Sequence, residues 1–333
     1  MNTAIRPLLS LLALAALCPQ FAAAQGSLTP PAGPPVASMK TLDQVEARTP
    51  LVVGAPGVAI SAAGTITISQ PGSYYLTRNV SITTNVNGIE INADATVDLN
   101  GFSISGAAAA ITSGDAIVIG TTVNATIRNG IIKGGTTMPT DNTYTYSGFR
   151  HGVFADFPPA GSRSSVAVSD LKVSGVRQSG IFLRRVVCVE RCTVQGAGGN
   201  GIDVHPWFRP DSPSFDSRYQ SHVKDSHAGD CGGQYGIAAS RVSGCFGHTN
   251  RNGSDYTAAP CGIVASLVEN STGWGTGVFT LPIDQYVFGI HGTTVSYSSG
   301  RGASFGIRAS IAIACTYIGA GGIDSPSKHL GTP

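Results

Sequence analysis

The sequence predicts an all-β protein, a right-handed parallel β-helix of about nine or ten coils behind a short N-terminal capping helix. Three observations carry that expectation. The chain holds 43 glycines against only 12% charged residues, a balance that favours many short strands joined by tight turns. A glycine followed by Ile or Val opens a short alternating strand at Gly88, Gly152, Gly180, Gly201, Gly236, Gly262, Gly289 and Gly306, with Ala116 filling one gap. These openings recur at irregular intervals, as in a solenoid whose insertions leave at the corners.

The chain opens with an export signal over residues 1–24. Arg6 supplies the positive region, residues 8–17 the apolar region, and Ala22, Ala23 and Ala24 the small-residue cleavage site. That apolar run is too short to span a bilayer, and no later one approaches ~20 residues. Secretion without an integral membrane anchor is expected. Residues 25–39 are Pro-rich and read as a tether. Residues 40–47 (KTLDQVEA) can form two turns of helix covering the first coil. The β-helix is expected over residues 40–325, with a tail over 326–333.

Between the Gly-Ile strands runs a second strand type: VDLNGFSISG from Val97, ATIRNGIIKG from Ala125, VAVSDLKVSG from Val166 and VCVERCTVQG from Val187. Two-residue hairpin turns are scarce, which disfavours a sandwich. Propeller blades need longer, more regular repeats.

These segments carry a resemblance. Residues 71–82 (PGSYYLTRNVSI), the following NGIEINADATVDLNGFSISG and ATIRNGIIKGG, and the opening phrase MKTLDQVEARTP resemble exported bacterial members of the pectate-lyase-like β-helix superfamily. The resemblance spans residues 39–325 and implies the fold, not an activity, because that superfamily mixes lyases, hydrolases, epimerases and adhesins. The residue sets of its polygalacturonases (NTD, an Asp-Asp pair, GHG, RIK) and pectate lyases (WxDH with RxPxxR) are missing here.

Strand alternation places the candidate chemistry. With the Ile or Val of each Gly-Ile strand inward, the next residue points outward. The outward column runs Glu90, Val118, Phe154, Phe182, Asp203, Ala238, Val264, His291, Arg308. A second column runs Asn92, Gly120, Asp156, Arg184, His205, Ser240. Neighbouring strands lie ~4.8 Å apart, so the central coils should gather Phe154, Asp156, Phe182, Arg184, Asp203 and His205 into one patch. Asp156, Arg184, Asp203 and His205 are the catalytic candidates, as a carboxylate pair for hydrolysis or a base and charge stabiliser for uronate lysis. A solvated ion-pair ladder is the competing reading. Sugar-contacting aromatics are expected in Phe154 and Phe182 and, from insertions over 136–150, 206–221, 247–260 and 273–287, in Tyr146, Trp207, Phe208, Tyr219, Tyr256 and Trp274. Together they describe a groove for a polysaccharide, as an enzyme or as a non-catalytic adhesion or structural solenoid.

Other features narrow the partners. A net charge of +2 gives no basic surface for nucleic acid. Cys188 and Cys192 lack a second ligand pair, and the cluster His222, Asp225, His227, Asp230 reads as a solvated turn, so neither metal nor cofactor is expected. Six cysteines follow the export signal and read as buried residues stacked between coils, while disulfides stay open.

Overall fold

The computed structural model describes residues 48–138, 144–159, 162, 164–204, 220–250, 260–276, 287–302, 305–318, 323–324 and 328–330. The chain divides into two units, Met1–Glu46, which lies outside the described residues together with the expected helix, and Ala47–Pro333. Among the described residues every regular element of the second unit is a strand, and nearly all pairings are parallel. None of the described residues forms a helix long and apolar enough to cross a membrane.

The strands form three parallel ladders, visited in the same order in each successive rung. The first ladder holds the Gly-Ile strands. It runs from Ile66–Ile68 through Ile89–Ile91, Ile117–Ile119, Val153–Ala155, Ile181–Leu183 and Ile202–Asp203. It continues into the first halves of Tyr235–Ser243, Cys261–Glu269, Phe288–Ser296 and Phe305–Ile313. The expected outward column is the observed register, with Glu90 beside Val118, Val118 beside Phe154, Phe154 beside Phe182, and Phe182 beside Asp203. Its alternate residues Ile117, Val153, Ile181 and Ile202 are fully buried. The repeat begins earlier than the Gly-Ile pattern suggests, at Ile66–Ile68, which also closes a hairpin with Val58–Ile60.

The glycine that opens each strand answers to close packing. A Cβ on Gly180 would sit 2.3 Å from Val194 Cγ1 and 2.9 Å from the Gly201 carbonyl of the next rung. Only hydrogen fits there.

The second strand type spans two ladders rather than one. Ala125–Lys133 pairs through residues 125–128 with Ala95–Asp98 and through residues 131–133 with Ser103–Ser105. The bend between these ladders is a residue in left-handed conformation: Asn100 and Asn129 (φ 52° and 58°), then Asp170, Arg191, Asp225, Gly244, Asn270, Tyr297 and Ala314. Asn and Asp tolerate this region best among L-residues. The same bend splits the His222–Asp230 cluster, leaving His222 on the second ladder and His227 and Asp230 on the third.

Immediately after the bend residue, a buried column of Cys192, Ser226, Cys245, Ser271, Ser298 and Cys315 lines the core. Cys192 N–H donates to Ser226 Oγ, Cys245 N–H to Ser271 Oγ and Ser271 N–H to Ser298 Oγ. Each of these three serine hydroxyls donates in turn to the carbonyl two residues before it, at 2.7 Å. Serine or cysteine recurs here because the preceding rung offers an N–H that a small acceptor at this depth satisfies, as Cys245 Sγ does for the Ser226 N–H at 3.4 Å. All six cysteines are free thiols.

Candidate functional site

The first ladder's outer face gathers a polar and aromatic strip. Phe154 and Phe182 occupy adjacent rungs with ring centroids 5.6 Å apart and planes within 13°. His151 lies 5.0 Å from Phe154 and 5.2 Å from Phe182. Arg150 sits 5.0 Å over Phe154, and Arg184 sits 4.1 Å over Phe182. The ring faces are therefore taken up by one another and by guanidinium groups, worth ~0.5–1.5 kcal/mol per aromatic pair beyond burial. The expected stacking of sugars on Phe154 and Phe182 has little free ring face to use.

Arg184 and Asp203 do come together, but inside the protein. Arg184 Nη1 donates to Asp203 Oδ1 at 2.6 Å and Nη2 to Oδ2 at 3.1 Å. Their side chains are only 10% and 8% exposed, which excludes the solvated ladder. Asn200 Nδ2 adds a third donor to Asp203 Oδ2 at 2.8 Å. Asp156 stands apart from this pair. It is exposed and its Oδ1 accepts the N–H of Phe157 at 2.8 Å. His205, Trp207, Phe208, Tyr219 and Tyr256 lie outside the described residues.

Four polar residues of the strip escape the alternation argument. Asp115 accepts from Arg150 Nη2 at 2.7 Å and Nε at 3.1 Å, from the His151 N–H at 2.9 Å, and faces His151 Nδ1 at 2.9 Å. Burial pushes the Asp115 carboxyl up, but the hydrogen bonds and charges of His151 and Arg150 outweigh it and hold the group below its ordinary 3.8. Asn200 repeats the pattern three rungs further along, its Oδ1 accepting the N–H of Tyr235 at 3.0 Å. The available signal was positional: the residue just before the first six opening Gly or Ala residues is Asn87, Asp115, His151, Ser179, Asn200 or Tyr235.

Arg185 was missed as well. It is fully buried, and its donors reach the carbonyls of Val123, Ile119 and Asp156 at 3.0, 3.4 and 3.2 Å and Ser164 Oγ at 3.3 Å. Desolvation lowers its pKa to about 10. It ties three segments of the corner between the first and second ladders.

The insertion aromatics divide. Phe149 is fully buried, filling the space beside Gly106. Trp274 is not in a loop: it belongs to the third-ladder strand Thr272–Thr276, packed against His248 at 5.1 Å and under Arg301 at 4.4 Å. Residues 246–250 are likewise a strand, so that insertion begins later than expected. Tyr144 and Tyr146 do lie over a corner, their rings 17° from parallel with centroids 6.1 Å apart. Tyr146 rests on Gly198, where a Cβ would meet the ring at 2.4 Å, and Tyr144 on Gly232, where it would meet the ring at 2.7 Å. Tyr146 is 54% exposed. Gly198 stands two residues before Asn200, so this corner borders the strip.

The outward column closes beyond Asp203. Ala238 and Val264 are buried, and Val264 clusters with Cys261 and Phe288 on the outer side of the ladder, with Tyr235 and Phe305 packed alongside. A separate open depression lies on the second ladder, lined by Thr96, Thr126, Ala167, Cys188, Asp94 and Asn124. It lies on a different ladder from the strip and carries no paired acid and base. Against known proteins, no family model, no curated protein and no solved structure matches this chain.

Proposed function

We propose that the chain is an exported, right-handed parallel β-helix protein of the pectate-lyase-like type, with about ten coils, that binds extracellular polysaccharide. The coil count reads each first-ladder strand from Ile66–Ile68 to Phe305–Ile313 as one turn. The signal segment at residues 1–24 and the Pro-rich tether at 25–39 give the reading of export.

The observation that carries binding is the tyrosine corner. Tyr146 and Tyr144 sit on glycines of successive rungs, and Tyr146 offers open ring surface beside the polar groups of the strip. An amphipathic ring held by a rigid scaffold binds an apolar sugar face at little conformational cost. Binding is favoured over turnover at the strip because Arg184, Asp203, Asp115 and His151 are already engaged with one another. At the strip, holding a polysaccharide without cleaving its chain, an adhesion-type role, is thus the form of the reading the geometry supports.

The test is a glycan array probed with the mature chain, alongside uronate-containing and neutral polysaccharides assayed for unsaturated products and new reducing ends. Binding without product formation is expected. Turnover that disappears in Asp203→Asn would instead make the strip an active site. Failure to bind any glycan would overturn the reading.

A further inference from the structure

A second cluster stands on the outer face of the third ladder, on three adjacent strands: His227–Cys231, Phe246–Asn250 and Thr272–Thr276. His248 Nδ1 lies 3.2 Å from Asp230 Oδ1. On its other side, His248 Nε2 lies 3.2 Å from Thr276 Oγ1. A hydroxyl in reach of a base, with that base oriented by a carboxylate, is the arrangement that identifies an activated nucleophile.

The surroundings fix each member. Asp230 sits in left-handed conformation (φ 49°) at a β-bulge and is held by Gln195 Nε2. Bulges re-aim side chains, and here the bulge turns a carboxylate toward the next rung. A carboxylate on Nδ1 favours the tautomer protonated there, which leaves the Nε2 lone pair facing Thr276. The Asp230 N–H is also aimed to donate to Nδ1, at the longer 3.4 Å, a contact that a proton on Nδ1 gives up in favour of the carboxylate at 3.2 Å. Thr276 Oγ1 has a second acceptor in the Thr249 carbonyl at 3.0 Å, and the Asn250 carboxamide lies beside it at 3.4 Å. Trp274 and Arg301 form a wall. The His248 side chain is 15% exposed and that of Asp230 40%, so a substrate can reach them. Burial lowers the His248 pKa despite the pull of Asp230, keeping the imidazole unprotonated, and so free to accept a proton, at neutral pH.

We propose that Asp230, His248 and Thr276 form a catalytic triad for acyl transfer, acting on O-acylated carbohydrate. Thr276 Oγ bonds to the acyl carbon while its proton passes to His248 Nε2. The bond from that carbon to the sugar oxygen then breaks, and the sugar oxygen takes the proton. Water, giving a proton to His248, hydrolyses the acyl-threonine to carboxylate and restores the hydroxyl. Asp230 orients the ring and balances its transient charge. The acyl chemistry stands on these distances alone. The carbohydrate part rests on the polysaccharide reading above.

The probe is p-nitrophenyl acetate with the mature chain. Release of p-nitrophenol is expected, reduced about 100-fold in Thr276→Val and in His248→Gln, and recovered by Thr276→Ser relative to Thr276→Val. Acid quenching should trap one acetyl group on the peptide containing Thr276. Thermal midpoints establish that each variant is folded. Equal rates in parent and folded His248→Gln, or acetylation elsewhere only, would overturn the triad. Probe hydrolysis without acetate release from acetylated polysaccharides would overturn the carbohydrate assignment and leave acyl transfer standing.

Discussion

Removing one member of the Arg184–Asp203 pair leaves a charge buried without its partner. The two side chains are 10% and 8% exposed, so neither group recovers much water when the other is lost. Breaking a buried pair typically costs ~3–5 kcal/mol, against ~0–1 kcal/mol for an exposed pair. Asp203→Leu should therefore cost about 3–5 kcal/mol, with the guanidinium left over the Phe182 ring at 4.1 Å as partial compensation. Arg184→Met should cost less, because Asn200 Nδ2 still donates to the Asp203 carboxylate, a charge-assisted bond worth ~1.5–3 kcal/mol. The double variant Arg184→Met/Asp203→Leu should recover most of the loss, since apolar replacement of a whole buried pair is often neutral. Chemical denaturation of the four proteins at equal ionic strength gives the coupling energy directly. Costs below ~1 kcal/mol for both single variants, or strictly additive effects in the double variant, would refute the argument that this pair is desolvated and mutually dependent.

Two other consequences are open to measurement. The folded-state pKa of Asp115 is depressed, so its contribution to stability is complete above its ordinary 3.8 and is lost as pH falls below that value. Asp115→Asn should lower the thermal midpoint at neutral pH and flatten its decline on acidification; an unchanged acid slope would contradict the Asp115–Arg150–His151 contacts. Burial pushes the thiols of Cys192 and Cys231 up to about 12 and that of Cys245 to about 11, so a thiol reagent at neutral pH should label only the half-buried Cys188 until denaturant is added. Fast labelling of several cysteines in the folded chain, or a mass showing disulfides, would count against the buried Cys-Ser column.

The parts of the structure that could be read from the sequence are those where one physical rule acts at every rung. Close packing favours a glycine before the Ile or Val, with Ala116 the exception between Glu90 and Arg308, and period-2 alternation then fixes which residue points outward, so that column was legible. The split of the second strand type was not, because its bend needs one left-handed residue and the chain supplies Asn129, Asp170, Arg191, Tyr297 or Ala314. Only Asn-Gly announces itself as a turn. Phe154, Phe182, Arg184 and Asp203 meet as the alternation implies, yet alternation says nothing of depth, and burial turned an expected open ladder into a covered pair. Asp115, His151 and Asn200 stand before the strand, where no period applies, and reach the strip through contacts between rungs. Trp274 was misplaced because the glycines around it, Gly273 and Gly275, imitate a loop while serving close approach to Gly289 and Phe288 of the first ladder.

Polysaccharide binding is tested most directly by the affinity of the mature chain for the polysaccharide that it retains best on an array. Saturable binding is predicted, weakened at least about tenfold, or ~1.4 kcal/mol, in Tyr146→Ala and unchanged in Ser310→Ala. Equal affinity for parent and Tyr146→Ala, with both folded, would contradict the tyrosine corner as the place where sugar is held.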